Sequence, residues 1–524
     1  MGKQNDRREF LKTISVAGVG GVAALAGLSS KQAMAQPGSV NWDREFDIVV
    51  VGYGGAGAAA AITACDNGAK VLLLEKTAKG GGSTYFSGGF FVSPRDAKGA
   101  VSYLMSCAKA AAGEDFDLNR QDLTAWAEEA VQNEEWIRSL GSEVSISLKG
   151  WYDIEGAQSY TSCQVKPDPT GVGLWKVLSG AVEKREVEVA YNIEDSRLVI
   201  RQEGSTSEAG DVEVLGIMAK SGGKWTNIKA RKAVILTCGG FDYNEKMKKN
   251  FLKSYPKHSV GHLANTGDAI KLAAITGADL WHMTSVPGVL CYKFPEVPVA
   301  YPSMLQLGAV NLSVIFVNRF GKRFTNEELP YDGFEKAMDQ FDPIQREFSN
   351  VPCWSIFDEK ARLKGPAGLG VPIGKPEYTW SNDNSEEIAK GWIAKANTIR
   401  ELAAKIDIDP SKLDETVSTY NGYCKKEEDP DFGRTDGLIP LDKSPYYAIK
   451  GYQGIWATAG GPKINTKAQV INVRGRPVRR LYAAGSASTF AFVFLYPLSG
   501  TAIGDGLAMG RTAGREAAAE RPWS

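Results

Sequence analysis

This chain of 524 residues has few histidines and no closely spaced pair of cysteines. The histidines are His258, His262 and His282, and the seven cysteines are dispersed without a CxxC pair. This scarcity excludes a haem-attachment motif, an iron–sulfur run and the usual zinc spacings, so we expect no metal site. With so few histidines, a histidine-centred catalytic triad is also a poor expectation.

The chain also lacks an excess of either charge and a long apolar run. Its 61 basic and 61 acidic residues balance, and the isoelectric point is near 6.9. A nucleic-acid partner would require a basic surface, so we expect none. No run of about 18 strongly apolar residues follows the N-terminal segment, so we expect no membrane span in the mature chain.

The N-terminal segment has the pattern of a bacterial export signal. The run R-R-E-F-L-K begins at Arg7, an apolar stretch rich in glycine and alanine covers residues 14–28, and an A-M-A cleavage pattern ends at Ala35. We therefore predict that residues 1–35 are a twin-arginine signal peptide and that the protein is periplasmic or otherwise exported by the twin-arginine route. The alternative is an uncleaved anchor, although the apolar stretch is short and broken by glycine.

A glycine motif near the start of the mature chain is the most informative feature. An apolar run at residues 48–51 leads directly into the G-x-G-x-x-G glycines Gly52, Gly54 and Gly57, and a second apolar run ends in Glu75. This order is typical of a βαβ unit that binds a dinucleotide. In such a unit, Gly52 allows the tight turn after the strand, and Gly54 lets the backbone approach a pyrophosphate. Gly57 permits close packing of the helix on the strand. Glu75 stands where a carboxylate can accept a ribose hydroxyl. The alternative is a glycine-rich turn in an unrelated α/β domain.

The composition of the chain changes in its central region. Residues 287–447 are richer in proline, aromatic residues and charge, whereas glycine-rich α/β sequence returns after them. We predict an α/β protein with a Rossmann-like nucleotide-binding domain built from two separated segments, 36–286 and 448–524. An α+β capping and catalytic domain, residues 287–447, is inserted between them, and a cleft between domains is a usual place for a ligand.

Several short motifs along the chain carry a resemblance to a known family. They occur in a specific order and cover nearly all of the mature chain. The motifs are Gly81-Gly-Ser-Thr, Ser87-Gly-Gly, Thr237-Cys-Gly-Gly-Phe, Asn265-Thr-Gly-Asp, Gly321-Lys-Arg-Phe-Thr-Asn-Glu, Ile356-Phe-Asp, Thr458-Ala-Gly-Gly and Leu481-Tyr-Ala-Ala-Gly. Together they resemble the flavoproteins that include soluble fumarate reductases and 3-ketosteroid dehydrogenases.

The resemblance implies that the cofactor is FAD. No segment for covalent flavin attachment is readable, so we expect non-covalent FAD. The residues that the resemblance assigns to cofactor binding are Gly52, Gly54, Gly57, Glu75, Lys76, Ser83, Thr84, Gly88, Gly89, Asp268 and Gly485, with Ala502 and Ile503 near the flavin ring.

The substrate site departs from the fumarate reductase pattern. Those enzymes carry an arginine proton donor where this chain has Tyr331, a histidine where it has Ala457, and a carboxylate-binding arginine where it has Pro497. A bidentate guanidinium matches a carboxylate in shape and charge. The sequence therefore disfavours a small dicarboxylate substrate.

The same positions resemble the 3-ketosteroid dehydrogenase branch. The resemblance implies that Tyr496 and the Gly500 N–H bind a ketone oxygen, while Tyr331 moves the proton on the neighbouring carbon. One departure is that Leu498 and Ser499 replace the usual small residues before Gly500. A second is that the assisting tyrosine of an early helix is not identified, and Trp126 is expected in its place.

These features predict an exported FAD oxidoreductase of the CH–CH class. It would transfer a hydride between flavin N5 and the carbon β to a carbonyl, as 3-ketosteroid dehydrogenases do. One alternative is a periplasmic respiratory ene reductase for an unsaturated acid or ketone other than fumarate. Another is a flavin-binding electron carrier without substrate chemistry. We expect an apolar or aromatic carbonyl substrate, and a cytochrome or a quinone-linked protein as a separate electron carrier.

Overall fold

The computed structural model describes residues 40–113, 119–202, 212–369, 378–492 and 495–523. The predicted signal peptide at residues 1–35 lies outside the described residues. Within the described part of the chain, each helix is too short or too polar to span a membrane.

The strands are numbered in chain order. They are β1 Arg44–Val51, β2 Val71–Leu74, β3 Phe91–Val92, β4 Glu143–Lys149, β5 Thr161–Lys166, β6 Glu188–Ala190, β7 Asp195–Gln202, β8 Val212–Ser221, β9 Lys224–Leu236, β10 His258–Ser259, β11 Leu280–Trp281, β12 Gly288–Tyr292, β13 Tyr301–Pro302, β14 Val314–Val317, β15 Phe341–Asp342, β16 Glu347–Phe348, β17 Cys353–Asp358, β18 Ile393–Ala396, β19 Tyr446–Ile455, β20 Gly461–Pro462, β21 Gln469–Ile471 and β22 Pro477–Ala483.

The helices are numbered in the same way. They are α1 Gly55–Asp66, α2 Gly82–Phe86, α3 Ala97–Ala112, α4 Arg120–Ala130, α5 Asn133–Ser139, α6 Gly171–Glu183, α7 Glu245–Phe251, α8 Asp268–Ala274, α9 Met304–Leu307, α10 Tyr331–Met338, α11 Glu359–Arg362, α12 Ser385–Ala389, α13 Ile399–Lys405, α14 Pro410–Lys426 and α15 Thr501–Ala519. Short 3₁₀ helices occur at Ala309–Asn311 and Gly485–Ala487.

The larger sheet has the strand order β21-β22-β8-β9-β1-β2-β6, with β7 paired to β8. Strand β1 lies inside the sheet and pairs in parallel with β2 and β9. Its apolar residues 48–51 are buried, as expected for a parallel strand with both faces covered. Strands β21 and β22 come from the C-terminal segment, so the predicted assembly of this sheet from two separated segments is confirmed.

The smaller sheet belongs to the inserted part of the chain. Its order is β13-β12-β19-β17-β14, and β10 and β18 also pair with β19. Strand β12 and strand β17 pair antiparallel with β19. The sheet begins at His258–Ser259 and ends at Tyr446–Ile455, so its strands extend beyond residues 287–447 at both ends.

The C-terminal helix α15 returns to the nucleotide-binding half and packs on α1. A Cβ atom on Gly510 would lie 2.6 Å from the Ala56 carbonyl oxygen, and one on Gly514 would lie 2.4 Å from that of Ala60. Only glycine permits this approach of the two helix backbones. As a result, the N-terminal turn of α15 lies close to the glycine motif that opens α1.

The structure corrects some element boundaries. The sequence pattern of residues 115–140 predicts one helix. Residues 115–118 lie outside the described residues, and the rest of this stretch forms the two helices α4 and α5. The break occurs because the Ser93 hydroxyl bonds the Val131 carbonyl oxygen at 3.2 Å and accepts the Glu134 N–H at 3.0 Å. The sequence also predicts strands at residues 187–192 and 198–201. The first strand is shorter than predicted, at Glu188–Ala190, and the second is longer, at Asp195–Gln202.

Candidate active site

A cavity of about 510 Å³ opens where β1, β2 and α1 meet. We call it the main cavity. Parallel strands direct their carboxyl ends to one edge of the sheet, which is where such folds bind nucleotides. The sequence-predicted residues that line it are Gly52, Gly54, Glu75, Lys76, Ser83, Thr84, Asp268, Gly485, Ala502 and Ile503.

Glu75 ties the glycine motif to the end of β2. One carboxylate oxygen accepts the Tyr53 N–H at 2.9 Å, and the other accepts the Thr77 N–H at 2.8 Å and the Thr77 hydroxyl at 2.7 Å. An ionised carboxylate has about four acceptor positions, so one remains for a hydroxyl in the cavity. The acid therefore fixes the loop as well as offering an oxygen to a ligand.

The glycines of the motif have two different roles. Gly52 has φ +107°, and a Cβ atom on it would lie 2.4 Å from the Thr237 carbonyl oxygen. A Cβ atom on Gly57 would lie 2.0 Å from the Gly52 carbonyl oxygen. Both positions require glycine because other backbone already occupies the space. By contrast, a Cβ atom on Gly54 meets nothing closer than 3.7 Å, so a side chain there would enter the cavity.

Three of the predicted cofactor-binding residues lie away from the main cavity. Gly57, Gly88 and Gly89 are not among its lining residues in the described part of the chain. A Cβ atom on Gly89 would lie 2.4 Å from the Thr170 carbonyl carbon, so this glycine serves backbone packing. Any contribution of these three glycines to ligand binding is therefore through the shape of the loops.

Lys76 and Asp268 form an ion pair at the cavity wall. The Lys76 ammonium lies 2.7 Å from the Asp268 carboxylate and donates to the Thr266 hydroxyl at 2.9 Å. Lys271 contacts the same carboxylate at 2.9 Å. Burial alone would raise the pKa of Asp268, but the two ammonium groups hold it below its ordinary value. One carboxylate thus balances two cations at this wall.

The first turn of α15 connects the main cavity to Tyr496. Ala502 and Ile503 line the cavity, and the Ala502 N–H donates to the Tyr496 hydroxyl oxygen at 2.9 Å. Gly500 caps the helix with φ +92°, and a Cβ atom on it would lie 2.7 Å from the Phe90 carbonyl carbon. Tyr496 and Gly500 are therefore held together at this helix end.

Tyr331 lies beside Tyr496, although it comes from the inserted part of the chain. It is the first residue of α10, and its ring centroid lies 6.4 Å from that of Tyr496. Its hydroxyl oxygen and that of Ser499 form a hydrogen bond of 3.1 Å. The two tyrosines that the sequence singled out are thus brought together by the fold.

Three further rings surround this pair. The Trp151 centroid lies 4.7 Å from that of Tyr331 and 6.2 Å from that of Tyr496. Trp456 lies 6.2 Å from Tyr331, and Phe492 lies 5.0 Å from Tyr496. We call these five residues the aromatic cluster.

Both phenols of the cluster are in their protonated form at neutral pH. Burial raises the pKa of Tyr331 well above its ordinary value, and the neighbouring Tyr496 and Asp332 add to the effect. Burial also raises the pKa of Tyr496, against the opposing effect of the Ala502 and Gly500 N–H groups. A protonated phenol can donate a hydrogen bond or act as an acid.

Comparison with known proteins identifies the cofactor. The family described as FAD binding domain matches residues 47–503, which is most of the chain. The chain belongs to this FAD binding domain family. FAD is therefore its cofactor, and the prediction of this cofactor is confirmed.

Curated relatives of this family member are oxidoreductases. Vinyl phenol reductase of Lactiplantibacillus plantarum is 28% identical over 496 residues, which are 90% of this chain and 96% of that protein. NADH:fumarate oxidoreductase of Klebsiella pneumoniae is 29% identical over 512 residues, 94% of this chain but 50% of that protein. The prediction of an FAD oxidoreductase is confirmed.

A solved structure shows the same fold. The 3-ketosteroid Δ1-dehydrogenase from Sterolibacterium denitrificans, in complex with 1,4-androstadiene-3,17-dione, has a TM-score of 0.79 and 24% identity. The match covers 91% of this chain and 100% of that chain. The predicted fold class of this FAD binding domain protein is confirmed.

The main cavity fits the FAD that the family binds. Helix α1 begins at the cavity, and the first N–H groups of a helix lack intrahelical partners and attract phosphate. The bare backbone at Gly54 leaves room for a pyrophosphate there. Glu75 offers an acceptor for a ribose hydroxyl at the end of β2.

Sequence reasoning misplaced one aromatic residue and missed others. Trp126 lies on α4 and stacks on Tyr160 at 6.5 Å, whereas the ring next to Tyr331 is Trp151. Trp126 is buried because its side chain belongs to the large apolar core that also contains Tyr103 and Tyr160. Trp151 lies in the loop between β4 and β5, which has no periodic pattern that could have indicated it.

The apolar run at residues 490–495 is partly core. Phe490, Ala491 and Phe492 are buried, while residues 493–494 lie outside the described residues. The Ala491 N–H donates to the Asp505 carboxylate at 3.0 Å, and burial raises the pKa of this carboxyl to about 7. Of the run, Phe492 reaches the aromatic cluster. No group of metal-binding side chains occurs among the described residues.

Proposed function

We propose that this FAD oxidoreductase transfers a hydride between the flavin and the carbon β to a carbonyl group, with Tyr331 moving the proton at the α carbon. The single observation that carries the proposal is the meeting of two phenols beside the first turn of α15. The Tyr496 hydroxyl oxygen accepts a hydrogen bond of 2.9 Å from the Ala502 N–H, and Ala502 lines the main cavity. The chemistry that bound FAD supplies is hydride exchange.

Tyr496 is suited to bind the carbonyl oxygen. Its hydroxyl oxygen accepts the Ala502 N–H, so its own proton remains available to donate. Donation to the oxygen stabilises the enolate that forms as a proton or hydride moves. Removal of one such donor typically costs about a hundredfold to a thousandfold in rate. The Gly500 N–H is the second donor in this proposal.

Tyr331 is suited to act as an acid rather than as a base. Its pKa lies well above the ordinary value of a tyrosine because it is buried beside Asp332 and Tyr496. A base would first have to lose its proton, whereas an acid gives the proton to an enolate carbon directly. The protonated state of Tyr331 therefore favours reduction of a C=C bond, with dehydrogenation as the reverse reaction.

An apolar or aromatic carbonyl compound is the proposed substrate. Five aromatic side chains form the wall beside the main cavity, and Tyr331 and Pro497 occupy the places of two fumarate reductase arginines. A planar ring gains stacking and edge contacts from such a wall. The name of the Lactiplantibacillus plantarum relative, vinyl phenol reductase, states an aromatic substrate for that protein, which agrees with the aromatic part of this proposal, although a vinyl phenol carries a hydroxyl group rather than a carbonyl.

The N-terminal sequence supports export of the loaded enzyme. The twin-arginine pattern at residues 1–35 supports a periplasmic location of the mature protein, and cytoplasmic NADH is not accessible there. We therefore propose non-covalent FAD, loaded before export, and a separate cytochrome or quinone-linked protein as the electron carrier.

Substitution of Tyr331 by Phe tests the proposal. We expect Tyr331→Phe to lower enone reduction with reduced viologen by about a hundredfold or more, because the acid is removed. Its visible FAD absorption should be unchanged. Tyr452→Phe, in the apolar group that contains Tyr331 and Trp456, is the matched control and should keep full activity.

Two other results of the same assays would change the assignment. Full activity of Tyr331→Phe would remove this residue from the mechanism. A wild-type protein that accepts electrons from viologen but neither reduces enones nor oxidises ring ketones with a dye would be an electron carrier.

A further inference from the structure

The two phenols of the site come from distant parts of the chain. Tyr331 begins α10 in the inserted region, whereas Tyr496 lies in the loop before α15. Their relative position decides whether one substrate can meet both hydroxyls, and misplacement by about 1 Å can cost a hundredfold in rate. Some contact must therefore hold this loop against α10.

The Asp332 carboxylate makes that contact. One of its oxygens accepts the Tyr496 N–H at 2.9 Å, across 164 positions of sequence. The other oxygen accepts the Gly288 N–H at 2.8 Å, at the start of β12. Asp332 has an exposed fraction of 0% and directly follows Tyr331. A single side chain thus links the backbones of both tyrosines to the smaller sheet.

A neighbouring lysine keeps this carboxylate in place. Lys336, one turn later on α10, lies 3.1 Å from an oxygen of Asp332. It also donates to the Val286 carbonyl oxygen at 2.9 Å. A buried carboxylate is costly without such partners, so the ammonium and the two backbone N–H groups together stabilise its charge.

Two neighbouring acids, Glu335 on α10 and Asp339 directly after it, have a different task. Glu335 accepts a hydrogen bond from Gln453 at 3.1 Å and forms an ion pair with Lys257. It also shares Lys336 with Asp332, at 3.1 Å. Asp339, directly after α10, accepts from Gln453 at 2.6 Å and lies 3.0 Å from Lys257. These contacts attach α10 to β19 and to the segment before β10. They do so without touching the loop that carries Tyr496.

From this division we infer that Asp332 is a positioning residue that sets the placement of Tyr496 relative to Tyr331. The inference rests on the proposed function, since it gives the two phenols a common substrate. Asp332 acts through the backbone N–H of Tyr496 and takes no part in proton transfer itself. Glu335 and Asp339 supply the attachment of the helix as a whole.

The test is Asp332→Asn, with Asp339→Asn as the matched control. An amide has one oxygen, so one of the two backbone N–H groups would face the amide NH₂ group. We expect kcat for enone reduction to fall about tenfold to a hundredfold with KM changed much less. Asp339→Asn removes the same charge from the residue directly after the same helix and should keep kcat, although we expect its thermal midpoint to fall.

Two readouts separate positioning from general damage. Amide hydrogen exchange at residues 495–500 should rise in Asp332→Asn and not in Asp339→Asn, with or without FAD. The double variant Tyr496→Phe/Asp332→Asn should be no slower than Tyr496→Phe, because Asp332 acts through Tyr496 and residues that act as a unit are not additive. A folded, FAD-loaded Asp332→Asn with wild-type kcat would overturn the inference, and so would additive losses.

The outcomes also distinguish this inference from the proposed function. Full activity in Tyr331→Phe refutes the function itself, whereas an inactive Tyr331→Phe beside a fully active Asp332→Asn refutes only the role of Asp332. If Asp332→Asn does not fold, Lys336→Gln replaces it, since it removes the charge that holds Asp332. A lower kcat with retained FAD then supports the inference, and an unchanged kcat overturns it.

Discussion

The main cavity and the aromatic cluster are neighbours, but they are built in different ways. The cavity wall consists largely of backbone and small residues from short, contiguous motifs, such as Gly52 and Gly54. The aromatic cluster consists of large side chains from four separate segments, the first in the β4–β5 loop and the last before α15. A hydrogen bond from the Ala502 N–H to the Tyr496 hydroxyl oxygen joins the two regions.

This difference determines what each region tolerates. At Gly52 the next backbone is 2.4 Å from an added Cβ atom, so one extra carbon must displace main chain. In the cluster, a hydroxyl or a ring can be removed while the surrounding strands and helices stay as they are. The cavity should therefore respond to substitution by losing FAD, and the cluster by losing turnover.

The largest expected effect tests this contrast directly. Gly52→Ala combines a positive φ with a backbone clash, each of which costs about 1–3 kcal/mol, so we expect the protein to lose most of its FAD. Tyr496→Phe removes one hydroxyl, so we expect FAD to stay and enone reduction to fall about a hundredfold to a thousandfold. FAD absorbance per protein and kcat measure the two effects.

The control for Gly52→Ala is Gly180→Ala on helix α6. A Cβ atom at Gly180 meets nothing within 4 Å, and alanine favours a helix over glycine. This variant should therefore keep both FAD and activity. Retained FAD in Gly52→Ala, or lost FAD in Tyr496→Phe, would break the contrast between the two regions.

The sequence predicts the cavity well because its chemistry is local. A strand, three glycines and an acid within one βαβ unit determine where the turn, the helix end and the carboxylate lie. Of the predicted cofactor residues, Gly54 and Glu75 line the cavity as the motif implies. The position of Gly57 under the loop also follows from the motif, since its task is helix packing.

The cluster could be predicted only in part. Tyr331 and Tyr496 follow from family motifs, but Trp151 lies in an irregular loop whose position depends on tertiary contacts. One such contact is the Tyr152 N–H, which donates to the Tyr103 hydroxyl at 3.2 Å. The role of Asp332 could not be predicted from the sequence either, because only the fold brings its partners, the N–H groups of Tyr496 and Gly288, close to it.

A smaller effect is expected at Trp151, the ring that sequence reasoning did not identify. Trp151→Ala should raise KM for an aryl enone about tenfold, because edge and stacking contacts are worth about 1 kcal/mol beyond area burial. The KM for a short aliphatic enone should change less, and FAD content should not change. Trp225→Ala, at a partly exposed position on β9, is the control. Equal KM values for both substrates in Trp151→Ala would separate this ring from substrate binding.

The smallest effects concern two adjacent tyrosine hydroxyls behind the cluster. Tyr103 Oη donates to the Pro497 carbonyl oxygen at 2.9 Å and accepts the Tyr152 N–H. The Tyr152 hydroxyl is buried and has no hydrogen-bond partner among the described residues. Loss of a paired buried hydroxyl leaves its partners unsatisfied, whereas loss of an unpaired one relieves a desolvation cost.

Tyr103→Phe should therefore lower the free energy of unfolding by about 1–3 kcal/mol, and Tyr152→Phe should leave it unchanged or raise it by about 1 kcal/mol. Urea unfolding of the FAD-loaded protein measures both values, and each variant is the control of the other because the same atom is removed. A loss of stability in Tyr152→Phe as large as that in Tyr103→Phe would mean that the Tyr152 hydroxyl has a hydrogen-bond partner, and the layer of tyrosines behind the aromatic cluster would then be held by both hydroxyls.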